Sequence, residues 1–134
     1  MKTQVLRVDR DAVSLPLVDG PAGEVLAVVW PGMGARHRSM HVITLPQGAA
    51  TVPHLHPTSE ATYYVIQGTG TIDDLDAGTS HAIRPGSVVL ITPRSRYRIA
   101  AAADSDLVCV GGPCPPDPAL YPGTPPVDAA GAHA

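Results

Sequence analysis

Apolar residues along this chain come in short runs in which β-branched and aromatic side chains recur, and no run repeats at the helical period over any length. The runs fall at 24–30, 40–45, 62–67, 87–92, 97–100 and 107–110. Turn-forming sequences separate them: PGMG, PQG, GTG, DDLDAG, RPGS, TPRS and DSD. Short apolar segments with this punctuation predict strands rather than helices. Several of them at regular spacing predict an all-β sandwich or barrel. No internal repeat is apparent.

Composition sharpens that picture. The 134 residues include 15 Pro and 13 Gly but one Lys and two Glu. Breakers interrupt every stretch in which a long helix would have to propagate. The length suits one domain with a core of its own, and 44% hydrophobic with 16% charged residues fits a globular chain. We expect a single barrel domain over 1–112, with its core at about 22–110, followed by a Pro-rich tail over 113–134. The tail is expected to run extended over the surface, with Leu120 and Tyr121 as possible anchors.

Charge and targeting signals narrow the function. A net charge of −3 gives no basic footprint for nucleic acid. The apolar runs are too short to cross a bilayer as helices. Arg7, Asp9, Arg10 and Asp11 break up any signal-peptide pattern, so a cytoplasmic setting is expected. Cys109 lies in an apolar run and reads as a small buried side chain; Cys114 lies in a Gly/Pro loop, and no disulfide between them is expected.

The chemistry concentrates in PHLHPTSEATYYVIQGTG, residues 53–70. In extended chain, residues i and i+2 share a face about 6.5 Å apart. His54 and His56 would then project side by side and converge on one ion at about 2.1 Å each. A carboxylate from a neighbouring bend, Glu60, would close a third side. Two histidines and a carboxylate with open positions make the facial arrangement of non-haem iron and related centres.

GAATVPHLHPTSEATYYVIQG resembles the first signature of the cupins: a glycine, HxH, a gap, a glutamate and a tyrosine-rich strand closing on glycine. RPGSVVLITPRSRYRIA is similar to the second signature, with Gly86, an apolar strand and Pro93. The resemblance covers roughly residues 40 to 110. It implies a double-stranded β-helix, a jelly-roll relative, with one divalent ion (Fe, Mn, Zn or Ni) inside the barrel and commonly a homodimer.

Two positions depart from that pattern. Counted from His56, Glu60 stands at an allowed distance; counted back from Gly68, the glutamate position falls on Ala61. Either Glu60 takes the role through a shift of phase or the carboxylate is lost, because one residue of slip turns a strand side chain to the opposite face. The last histidine of the pattern is replaced by Tyr97, which can ligate, hydrogen-bond or act as a general acid or base.

Other residues extend the candidate pocket. His41 shares a face with Ile43 and Leu45 on the run before the motif; it joins the pocket if that face looks into the barrel, and otherwise it stands on the outer sheet. With Tyr97 inward, alternation sends Arg96 and Arg98 outward, where they are expected to be solvated or to serve a dimer contact. The sharper alternative is that Arg38, or one of Arg94, Arg96 and Arg98, reaches the barrel mouth and holds an anionic group. His37 and His81 are expected in solvent, and His133 in the tail. Val65, Ile43, Val89 and Ile91 are candidate apolar lining. The reading is a small metal-dependent cupin enzyme acting on a small molecule, of oxygenase, isomerase, lyase or cyclase type. His54, His56 and Glu60 would hold the metal, with Glu60 and Tyr97 at the chemistry. Two alternatives stand beside it: a non-catalytic ligand-binding or sensor barrel, and a metal-free acid–base enzyme of epimerase type built on Tyr97.

Overall fold

The computed structural model describes residues 3–18 and 23–121. Nine strands dominate them: β1 (Val13–Leu15), β2 (Glu24–Val29), β3 (Met40–Leu45), β4 (Glu60–Gly68), β5 (Gly70–Asp74), β6 (Thr79–Ile83), β7 (Val88–Ile91), β8 (Tyr97–Ala101) and β9 (Leu107–Cys114). One helical turn, α1 (Val8–Asp11), precedes them, and two 3₁₀ turns lie at Pro31–Met33 and Pro118–Leu120. Every run expected to be a strand is one.

All pairings between strands are antiparallel. A six-stranded sheet has the order β1-β2-β3-β9-β4-β7, and a three-stranded sheet the order β6-β5-β8. The two pack into the expected double-stranded β-helix. Alternation places the core: along β4 the odd residues Ala61, Tyr63 and Val65 are buried, and their even neighbours are exposed. Along β3 the buried set is His41, Ile43 and Leu45.

Strands β5 and β6, absent from the expected list, arise from the sequence on either side of DDLDAG. GTIDD reads as a turn because Gly and Asp are poor strand formers. Here Gly70 and the Gly68 that precedes the strand permit it. Gly68, at φ +82°, makes the corner where the chain passes from one sheet to the other. Gly70 lies so close to the Ala100 carbonyl that any side chain there would collide with it.

The residues between β3 and β4 close one flank. Thr51 donates its N–H to Ile99 O, and His54 and Tyr97 exchange both backbone hydrogen bonds, at 3.1 and 2.9 Å. This lays the histidine-bearing segment alongside β8. On the opposite flank β6 and β7 are the outer strands of their sheets, and no pairing joins them. A cavity of about 480 Å³ opens along that seam, lined by Ile72, Ile83, Val89, Ile91 and Tyr97, with His81, Asp74 and Arg96 also lining it.

The expected boundary at residue 113 is corrected. Strand β9 runs through Cys114, and Pro113, Pro116, Asp117, Leu120 and Tyr121 are buried. Ser39 and Ser59 hold this strap by donating hydroxyl hydrogen bonds to the carbonyls of Pro113 and Pro115. The rest of the expected tail, His133 included, lies outside the described residues. Cys109 is buried as expected, and both cysteines are free. Among the described residues no helix is long and apolar enough to cross a membrane.

Candidate functional site

The HxH segment delivers both imidazoles to one place. His56 is 2% exposed and His54 half-buried, with ring centroids 5.2 Å apart at an interplanar angle of 78°. Tyr97, first residue of β8 and 2% exposed, lies against both: its ring centroid is 4.4 Å from that of His54 and 5.6 Å from that of His56. Tyr63 of β4 reaches the same point from the other sheet.

A continuous hydrogen-bond chain runs through these groups. Asp117 Oδ2 is 2.9 Å from His56 Nδ1. His56 Nε2 is 2.7 Å from the Tyr97 hydroxyl, which is 3.0 Å from the Tyr63 hydroxyl. Asp117 is set by its own local structure: it caps the Pro118–Leu120 turn, with Oδ1 accepting from Ala119 N–H. Burial would raise the Asp117 pKa, but the hydrogen bonds from His56 and the Ala119 N–H outweigh it and hold the carboxyl below its ordinary value. An ionised Asp117 places the His56 proton on Nδ1. Nε2 is left as the acceptor for the Tyr97 O–H, and Tyr97 accepts from Tyr63. Burial, reinforced by Tyr63, pushes the Tyr97 phenol well above its usual range.

His54 is arranged differently. Its Nδ1 is 2.7 Å from Val52 O, which makes Nδ1 the donor and leaves Nε2 a free base. Burial lowers its pKa against the opposing pull of that carbonyl. His41 is 1% exposed, with Nε2 2.7 Å from the Tyr121 hydroxyl, and burial lowers its pKa to about 4. Trp30 stacks on Tyr121, with ring centroids 5.5 Å apart. His41 is therefore inside the barrel, as one reading of the sequence had it, but it is tied to the strap.

Two expected site residues lie elsewhere. Glu60, the proposed third ligand and catalytic carboxylate, is exposed, and the inward position beside it belongs to Ala61, which is 0% exposed. The phase of β4 is fixed by Tyr63 and Val65 in the core, so Glu60 faces away. Arg38 is also exposed and lies against the outer face of the large sheet, with Met40, Thr62, Tyr64 and Val88. Arg98 is not simply solvated: its Nε and Nη2 both bond Asp73 Oδ2, at 3.0 and 2.8 Å. The lining candidates do face inward: Ile43, Val65 and Ile91 are buried, and Val89 is half-buried.

This donor set does not fit the expected two-histidine, one-carboxylate centre. Both nitrogens of His56 are spent, on Asp117 and Tyr97. The carboxylate is on the wrong face. Among the described residues no group of three or more His, Cys, Asp or Glu side chains could hold a metal ion.

Sequence reasoning missed Asp117, Tyr63 as a partner of Tyr97, and the pairing of His41 with Tyr121. DPAL does carry a legible signal, an Asp cap followed by Pro at the first position of a helical turn. It predicts the turn but not that the turn folds back onto the HxH segment.

Comparison with known proteins agrees with the architecture. Residues 41–111 match the family model described as Cupin domain. The chain is 34% identical over 109 residues to the L-ectoine synthase of Sphingopyxis alaskensis, covering 81% of this chain and 74% of that one. It is 29% identical over 75 residues to the L-ectoine synthase of Mycolicibacterium vanbaalenii, spanning 57% of that protein. Among solved structures, the polyketide cyclase RemF from Streptomyces resistomycificus superposes with a TM-score of 0.67 at 21% identity, over 87% of this chain and 83% of that one. The ectoine synthase from P. lautus superposes with a TM-score of 0.62 at 18% identity, over 85% and 79%. With its signature strands, its barrel and its family match in agreement, this chain belongs to the cupin family.

Proposed function

We propose that this chain is a metal-free acid–base enzyme that moves a proton on a small carbonyl-bearing molecule, with Tyr97 as the catalytic residue. The observation that carries the reading is the chain Asp117–His56–Tyr97, in which both imidazole nitrogens of His56 are committed. Tyr97 is the member of that chain that also lines the seam cavity. In the forward step the Tyr97 O–H proton passes to His56 Nε2, and the phenolate takes a proton from the substrate. Asp117 stabilises the imidazolium, and the Tyr63 hydroxyl donates to the phenolate. Burial and the Tyr63 pairing both hold the Tyr97 phenol protonated at rest, so its proton passes to His56 only in concert with the transfer from substrate. Tyr97 then returns a proton, equilibrated with solvent while the enzyme holds it, to another substrate atom, so the net reaction is an isomerisation or a ring closure with loss of water. That scope is in keeping with relatives named as ectoine synthases.

The test is solvent-deuterium exchange into a panel of small 2-oxo acids and 1,3-dicarbonyls, using protein dialysed against chelator. Exchange that survives dialysis and is lost in Tyr97→Phe supports the reading. Activity that returns only with added metal overturns it.

A second reading keeps a divalent ion of the Fe, Mn, Zn or Ni class. What favours it is His54 Nε2, which makes no hydrogen bond among the described residues and stands beside His56. It requires an ion to displace the Tyr97 hydroxyl from His56. Elemental analysis of tag-free protein and of His54→Ala decides it: one ion per chain in the parent and none in the variant.

The partner we propose for the exposed outer face of the large sheet is a second copy of the chain, giving a homodimer.

A further inference from the structure

The seam cavity carries more information than the proton relay uses. Its floor is apolar: Ile72, Ile83 and Ile91 are 5–8% exposed, and half-buried Val89 joins them. At about 480 Å³ it has the size of a small-molecule site. Its charged groups are unevenly committed. Asp74 Oδ1 already accepts the backbone N–H groups of Asp76 and Ala77, at 3.1 and 3.0 Å. His81 is exposed, and its Nε2 is 3.4 Å from Thr79 Oγ1. Arg96 is exposed and its guanidinium makes no hydrogen bond or ion pair among the described residues; only its backbone is held, by Asp76 Oδ2 and by Leu75 N–H. Its neighbour Arg98 is spent on Asp73. Strand alternation would send Arg96 outward, but it precedes the first residue of β8, and it lines the cavity beside Tyr97.

We infer that the cavity selects small carboxylic acids with a branched apolar body, the carboxylate held by Arg96 and the body packed on Ile72, Ile83, Val89 and Ile91. The inference rests on the acid–base reading for what happens next, since it sets the reacting carbon beside Tyr97. A guanidinium fork pairs with a carboxylate through two parallel hydrogen bonds, which gives orientation as well as attraction. Anchoring one end in this way leaves the carbonyl of a 2-oxo acid one or two bonds from the anchor, on the Tyr97 side of the cavity.

The probes are 4-methyl-2-oxopentanoate, its neutral amide and 3-methylbutylamine, titrated calorimetrically into the full chain, into Arg96→Gln and into Tyr97→Phe. A shared backbone NMR fingerprint establishes that the variants are folded. The expected result is that the parent binds the acid at least tenfold more tightly than the amide, and the amine not measurably. Arg96→Gln loses that preference and binds acid and amide alike, while Tyr97→Phe keeps acid binding within about threefold. Equal binding of acid and amide by the parent, preferential binding of the amine, an undiminished preference in Arg96→Gln, or no binding of any probe overturns the inference. Failure here is separable from failure of the acid–base reading. The first is lost selectivity with deuterium exchange still dependent on Tyr97; the second is Arg96-dependent binding with no exchange on any substrate.

Discussion

At the scale of single residues, the site is decided by which atoms of His56 are already spoken for. Asp117→Asn tests this most directly. An amide no longer requires a proton on Nδ1, so the tautomer that leaves Nε2 as acceptor loses its reason to persist. We expect a fall of at least about 100-fold in turnover, since mispositioning a catalytic imidazole's proton is this costly elsewhere. Nitrogen-15 NMR should show the protonated ring nitrogen of His56 moving from Nδ1 while the fold is kept. Glu60→Gln is the contrasting case: its side chain is exposed, so stability should change by less than about 0.5 kcal/mol and activity not at all. His41 sets a pH dependence. Its folded pKa is lowered to about 4 from 6.5, so the native state favours the neutral ring. Stability from this site is complete above pH 6.5, falls as pH drops from there to about 4, and falls no further below, by about 3 kcal/mol in all. His54 shifts in the same direction, so the comparison must be parent against His41→Gln in urea unfolding at pH 7 and pH 4.5. The variant should lose less stability on acidification than the parent.

At the scale of elements, the strands with β-branched and aromatic alternation could be read from sequence, and two kinds of element could not. β5 was hidden because its residues, GTIDD, are chosen for close approach and for the outer face rather than for strand propensity. Asp73 there gathers Thr71, Ser80 and Arg98 around one carboxylate, an arrangement that needs β6 and β8 already in place. Gly70→Ala should cost more than about 2 kcal/mol, measured as a drop in unfolding midpoint, because β5 and β8 must part to admit a methyl group. The strap was hidden for a different reason. A Pro-rich stretch makes few local hydrogen bonds and reads as linker, yet this one is fixed by long-range partners: Ser39, Ser59, His41 and His56. The HxH half of the site was legible because it lies within one short stretch of chain. The Asp117 half was not, because 61 residues separate it from His56. The phase of Glu60 was left open by counting alone; only the burial of Tyr63 and Val65 settles which face Ala61 and Glu60 occupy.

At the scale of the molecule, the outer face of the large sheet carries the argument for a second copy. Met40, Tyr64, Ile66, Val88 and Leu90 are 41–69% exposed on three strands of that sheet. Tyr64 stands opposite Val88 in register, and Leu90 lies two residues further along the same strand, so the patch is contiguous. A contiguous apolar patch of this kind on a small protein marks an interaction surface. Light scattering should give twice the chain mass of 13.8 kDa for the parent and the single mass for Val88→Asp combined with Leu90→Lys. The unfolding midpoint of that variant at low concentration should stay close to the parent's, because both side chains face solvent within one chain. A parent that scatters as a monomer at every concentration removes the dimer. The same strand would link such an assembly to the cavity: Val88 and Leu90 border the seam cavity whose floor holds Val89 and Ile91. A partner seated on the outer face would bear on β7, an edge strand paired on one side only. Ligand affinity should therefore depend on protein concentration across the dimer transition, and that dependence should vanish in the monomeric variant.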